Sequence, residues 1–373
     1  MISMEPVLKR GYASWDRDVL PEDEFALRTD AVRECLRVDG LRALVVVNHS
    51  LLGVMVDYSD MAYLSGMQSG GLLLVPLEGE PAYVGFGGGR ELAFMRTLTW
   101  LDHVVSGGAR AFDVLREQLG ARGIDAGALA VTGATDLAPA AAERLERALR
   151  GFELRAYDAR LAALRSVKRP REILATRLTL AIVEEAVAAG TAAFAAGGDN
   201  RAAMLEAERV ARARKARDVR ILASMGGPEL RPWEGRLAGR HAPLRLWVAA
   251  QYQGYWAEAS SSAPADDVAE RAVAAMMRAA RANATAGEVA AAGIAALPPA
   301  VVEPALAYGL GGAIGLAHCE GLAILPGSGE RLVGGQLLAL RAHIASAAPS
   351  IASAVVSVGA TGAERLTPLR IHG

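Results

Sequence analysis

The chain has 373 residues, 52% of them hydrophobic and 22% charged, and a formal net charge of -1. That length accommodates two ordinary domains and at least one large core, and the composition excludes a disordered chain. Near-neutrality without a Lys/Arg-rich tract offers no electrostatic footprint for nucleic acid or an anionic membrane.

Met1 to Phe25 carries charge where a signal peptide would be apolar. No uninterrupted apolar run reaches the roughly 18 residues of a membrane span. Cys35 and Cys319 lie far apart and read as free thiols in a reducing compartment. The expectation is a cytoplasmic protein. Its Ala, Gly and Arg richness suggests a GC-rich bacterial genome.

In chain order, Glu24 to Val38 is a helix candidate. The β-branched run Leu41 to Val47 predicts a strand that stops at Asn48-His49-Ser50. Gly71 to Pro76 and Pro81 to Gly85 predict two more strands, joined by hairpin chemistry at Leu77-Glu78-Gly79-Glu80. A helix over Ala111 to Leu119, a strand over Ala128 to Val131 and a helix over Ala138 to Leu149 follow. This alternation predicts an α/β domain over residues 1–164 whose mixed sheet is covered by helices.

Leu164 to Ile173 marks the expected boundary, with Pro170 opening a long helix that runs to about Ala196. A second helix is expected from Arg201 to Ala216. Strands are expected near Val219–Ala223, Leu244–Ala250 and Gly254–Ser260, and helices over Ala265–Ala284 and Ala286–Ala296. The final third reads as short strands alternating with Gly-rich turns. No period of 20–50 residues suggests a solenoid. Gly309-Leu310-Gly311-Gly312-Ala313-Ile314-Gly315 has the wrong spacing and context for a dinucleotide fingerprint.

From this boundary onward, several short motifs follow one another in order. They are Arg165-x-x-Lys168-x-x-x-Glu172-Ile173, Gly254-Tyr255-Trp256-Ala257-Glu258 and Gly311-Gly312-Ala313-Ile314-Gly315-Leu316. Cys319-Glu320, Gly335 to Arg341 and Gly362 to Thr367 complete the series. In this order the chain resembles the pita-bread metallopeptidase family of aminopeptidase P, prolidase, methionine aminopeptidase and creatinase. Met61 to Gly66 resembles the N-domain pattern of creatinase and prolidase. The resemblance implies a creatinase-like α/β N-terminal domain, then a pita-bread domain over residues 165–373. Because such relatives commonly dimerise, it also makes a homodimer possible.

The family's dinuclear metal site uses two Asp, one His and two Glu, donors that suit divalent metals which activate water. The matching positions here are Trp247, Glu258, Gly312, Arg341 and Ser353, or Ala352 if the last register slips by one. An indole donates but does not ligate, glycine has no side chain, and Arg341 is a permanent cation. No catalytic metal and no other cofactor is expected.

Creatinase, the family's metal-free hydrolase, places a His where this chain has Trp233. The family's second His falls at Cys319, with His318 adjacent. Glu258, His318, Cys319 and Glu320 are therefore the catalytic candidates. Arg231, Trp233, Trp247, Arg341 and His343 are the candidates to bind a small-molecule substrate. Blander alternatives stand beside these. Arg341 could neutralise a buried carboxylate, the two Trp could fill the core, and Cys319 could be an inert buried thiol. Three functions remain open: a metal-independent enzyme, a non-catalytic partner-binding pseudoenzyme and a residual C–N hydrolase.

Overall fold

The computed structural model describes residues 15–48, 58–227, 229–232, 239–263, 267–345 and 349–369. The chain divides into two compact units, Ser14–Arg165 and Ser166–Gly373.

The first unit is built on a six-stranded mixed sheet in the order β4-β3-β2-β1-β5-β6. Its strands are β1 (Ala43–Asn48), β2 (Gly71–Pro76), β3 (Ala82–Gly85), β4 (His103–Ser106), β5 (Gly127–Thr132) and β6 (Phe152–Ala156). β1 pairs antiparallel with β2 and parallel with β5. Every residue of β1 and β2 is buried, as a continuous apolar run requires when helices cover both faces. One face packs Val45, Leu74 and Val131 against Phe112 and Leu115 of the helix Ala111–Gly120. Side chains of this kind contribute about 1.5–3 kcal/mol each when fully buried. The expected elements are present with ends shifted by a residue or two. Asn48 ends β1, whereas His49 and Ser50 lie outside the described residues.

The second unit opens with the helix Pro170–Ala195, whose first position is the expected proline. Glu172 accepts the Arg169 backbone N–H (3.0 Å) and the Tyr255 hydroxyl (3.2 Å), so it caps the helix and ties it to a strand. By length and composition this helix is apolar enough to cross a membrane. Twelve of its residues are nevertheless buried, and Thr179 bonds the Tyr255 carbonyl, which is the placement of a core helix.

Two four-stranded sheets follow. The first has the order β10-β9-β7-β8, from β7 (Asp218–Ser224), β8 (Leu230–Arg231), β9 (Leu244–Tyr252) and β10 (Tyr255–Ala263). The second has the order β11-β12-β13-β14, from β11 (Gly311–Ala313), β12 (Leu337–Ile344), β13 (Ser350–Val358) and β14 (Ala363–Arg365). They meet along β10 and β13. There Ser353 Oγ donates to Ser260 Oγ (3.0 Å), and the Ile351 N–H donates to Ser262 Oγ (2.8 Å).

The final third departs from expectation. β12 and β13 are eight and nine residues long, not short strands. Pro299–Tyr308 is a helix despite Pro304 within it, because Val301 and Ala305 bury one face in the core formed with β12 and β13. The helix expected over residues 265–284 runs from Asp267 to Ala279.

Candidate functional site

Strand alternation decides which side chains meet. In the β9–β10 ladder Trp247 faces Ser260 and Ala249 faces Glu258. Trp247, Glu258 and Ser260 therefore share one face. In the second sheet Arg341 faces Ser353, and Gly312 faces Ala339, two residues from Arg341. The two faces come together at Glu258. Its Oε2 receives His318 Nε2 at 2.9 Å and an Arg341 terminal nitrogen at 3.2 Å. The Glu258 side chain is fully buried, whereas His318 and Arg341 keep 14% and 22% exposure, so the group is reachable through these two partners.

Burial alone would push the Glu258 carboxyl pKa up. The Arg341 guanidinium and His318 outweigh that penalty, so it lies below the ordinary carboxylate value. Trp247 adds to this. Its indole N–H is buried without a hydrogen-bond partner, and its electrostatic influence favours the carboxylate. An ionised oxygen accepts, so His318 Nε2 is the donor, and in a neutral ring Nδ1 is then the acceptor nitrogen. Glu258 Oε1 and Arg341 Nε are buried and have no hydrogen-bond partner.

His318 rides on a turn fixed at both ends. The Trp256 N–H donates to the Gly315 carbonyl (2.7 Å), and the Glu320 N–H donates to the Ala313 carbonyl (2.9 Å). The imidazole stands edge-on to Trp247 and Trp256, with centroids 5.5 Å away in each case. Arg220 covers the Trp256 ring at 4.4 Å, and Arg341 lies 5.8 Å from the Trp247 centroid. Trp247 is thus buried in the core and packed against the imidazole.

The remaining candidates separate. Cys319 is exposed, so the alternative of a buried thiol does not hold, and it is the adjacent His318 that reaches Glu258. Glu320 is engaged elsewhere: its Oε2 pairs with the buried Lys168 ammonium and its Oε1 accepts the Leu316 N–H. A Cβ on Gly315 would lie 2.8 Å from the Glu320 carboxyl carbon and 2.7 Å from Lys168 Cε, so a side chain there would require this pair to shift. Arg231 is exposed and pairs with Glu229 at 2.7 Å, while Arg341 serves Glu258. Trp233 lies outside the described residues.

His343 is buried. Its Nε2 sits 3.2 Å from the Arg245 guanidinium, and the Tyr308 ring stands edge-on at 4.0 Å. Burial, with the adjacent Arg245 charge, pulls its pKa down to about 4, so the ring is neutral at pH 7. Arg220, Arg245, Trp256, Ser260 and Tyr308 were absent from the sequence candidates. Period-two alternation from Trp247 and Glu258 points to Arg245, Trp256 and Ser260. No local signal points to Tyr308.

The donor set does not fit the metal pair that the resemblance implies. Arg341 places a cation beside Glu258, and Ser353 is bonded to Ser260. At Gly312 a Cβ would come within 2.5 Å of the Leu322 carbonyl oxygen, so the His position is closed by backbone as well as empty of side chain. Among the described residues no cluster of three or more His, Cys, Asp or Glu is placed to hold a metal ion.

No family model matches the chain, and no curated protein matches it in sequence. Solved structures do match it in shape. X-Pro aminopeptidase from Thermotoga maritima MSB8 superposes with a TM-score of 0.74 at 17% identity, over 92% of this chain and 98% of that one. Dipeptidase PepE from Mycobacterium ulcerans gives 0.68 at 21% identity, over 96% and 98%. The N-terminal domain of the FACT complex subunit SPT16 from Cicer arietinum (chickpea) gives 0.66 at 12% identity, over 94% and 97%. The chain therefore has the fold of the Xaa-Pro peptidases, a creatinase-like α/β unit followed by a pita-bread unit, with a side-chain set at the metal positions that does not suit a metal.

Proposed function

We propose that the chain is a metal-independent, non-peptidase enzyme that moves a proton on a small amino-acid-like or guanidino-like molecule. A ring closure, elimination or transfer in bacterial specialised metabolism is the reaction class. One observation carries this reading: Glu258 holds His318 through Nε2, which leaves Nδ1 as the basic atom. A carboxylate that orients a histidine also stabilises the imidazolium formed when the ring accepts a proton. Arg341 donates to Glu258 and keeps a buried Nε–H without a partner, a donor suited to a substrate carboxylate. Trp247 and Trp256 pack their rings against the imidazole and shield it on two sides.

The test is depletion of metabolites from a cell extract by the full-length protein with a chelator present. Wild type is expected to consume at least one carboxylate-bearing metabolite, and His318→Ala to consume it about a hundredfold more slowly or worse. Depletion that needs added divalent metal, or none by either protein, would contradict the reading.

A second reading, a non-catalytic protein that binds a peptide or protein partner, is favoured by the SPT16 likeness, since that neighbour is a subunit of a complex. A stoichiometric partner retained by both wild type and His318→Ala, without metabolite turnover, would support it.

A further inference from the structure

The sheet face that carries Glu258 also carries a second guanidinium. In one row across the sheet, Arg220 on β7 faces Ala249 on β9, and Ala249 faces Glu258 on β10. Residues paired in this way share a face, so the Arg220 and Glu258 backbones stand two strand spacings apart, about 10 Å. The Arg220 side chain crosses β9 and lays its guanidinium on the Trp256 ring of β10, 4.4 Å from the centroid. The methyl of Ala249 leaves room for that arm.

Trp256, Glu258 and Ser260 follow one another along this face, and Trp247 is opposite Ser260. The two indoles therefore stand at either end of Glu258, with the His318 ring 5.5 Å from each. Arg220 covers the Trp256 end. Arg341 lies at the Trp247 end, 5.8 Å from that ring. His318 is thus bracketed by two guanidiniums.

The two cations are not equally engaged. Arg341 is paired with Glu258. Arg220 is exposed, and among the described residues it makes no ion pair or hydrogen bond, although Asp218 lies two residues back on the same face. A guanidinium held flat on an indole keeps its N–H donors at the edge of the plane, where their fork matches a carboxylate. A cationic head group would meet like charge at both ends of the imidazole, whereas an acidic group would find a donor at each.

We propose that the substrate carries two acidic groups, one held by Arg341 and the other by Arg220, with the reacting atom between them beside His318. This rests on the reading of the site as a proton-transfer centre and names the substrate class for it.

Calorimetry on the full-length protein at neutral pH and low salt tests it. The probes are the straight-chain dicarboxylates from succinate to suberate, each against the monocarboxylate of equal carbon number. At least one dicarboxylate is expected to bind about tenfold more tightly than its control. Arg220→Gln, a change at an exposed side chain, is expected to erase that advantage and leave the monocarboxylates as they were. A packing role alone would weaken both classes alike. His318→Ala is expected to keep the preference, so dicarboxylate binding without any turnover would contradict proton transfer by His318 and still support two-point binding. No dicarboxylate advantage in the wild type, an advantage that survives in Arg220→Gln, or an equal loss of both classes would overturn the proposal.

Discussion

Glu320 and Glu258 are both buried carboxylates beside a cation, yet they do different work. On the Glu320 turn both oxygens are engaged, one by the Lys168 ammonium and one by the Leu316 N–H. At the Glu258 seam one oxygen carries two partners, His318 and Arg341, and the other has none. The first arrangement joins the start of the second unit to the turn that presents His318. The second leaves an acceptor and a donor unspent at a partly accessible point. Pairing is complete where the fold is held and incomplete where a ligand is expected.

Breaking the complete pair should cost most. Lys168→Met removes the ammonium from the buried Glu320 Oε2 and should destabilise the protein by about 4 kcal/mol in urea unfolding. A loss under about 1 kcal/mol would mean the two carboxylates are not distinguished by their pairing. Arg341→Met should cost somewhat less, about 3 kcal/mol, because His318 still serves Glu258. Adding Glu258→Gln to Arg341→Met should recover part of that loss, whereas Glu320→Gln should not, since it lies in a separate pair.

The pH dependence sharpens the contrast from another side. His343 titrates near 4 when folded, against 6.5 for the unfolded ring, so the unfolded state takes up its proton first. Its stabilising contribution is present above pH 6.5 and is lost as the pH falls toward 4, on the order of 2–3 kcal/mol. The Glu258 pKa is also depressed, so its contribution is lost lower, below the unfolded carboxylate value of about 4.3. His343→Gln should flatten the higher window and spare the lower one in acid titrations followed by circular dichroism. The smallest effect belongs to the exposed Cys319. Cys319→Ser should change stability by less than about 0.5 kcal/mol and leave turnover intact, and a lost activity would return the thiol to the site.

Much of the fold is legible in the chain because its signals are local. Pro170 at a helix start, the run of Val45 to Val47, and the glycine-marked strand Gly254 to Glu258 each announce an element. Edge strands such as Phe152–Ala156, mostly exposed and short, carry no such pattern. The helix Pro299–Tyr308 is masked by its prolines and appears once its apolar face is packed. In the site, the convergence of Trp247, Glu258 and Arg341 follows from motif order. The partner of Glu320 is 152 residues away, and the distinction between His318 and Cys319 depends on how one turn is pinned. Neither lies within reach of local pattern.

Proton transfer by His318 requires that Glu258 orient the ring through Nε2 and leave Nδ1 as the base. Long-range proton–nitrogen correlation spectra of the full-length protein labelled with ¹⁵N-histidine read this directly, since the chain has six histidines and His318→Ala assigns the signal. The expected result is a neutral His318 ring protonated at Nε2, with that preference lost in Glu258→Gln. A neutral ring protonated at Nδ1 in the wild type would contradict it.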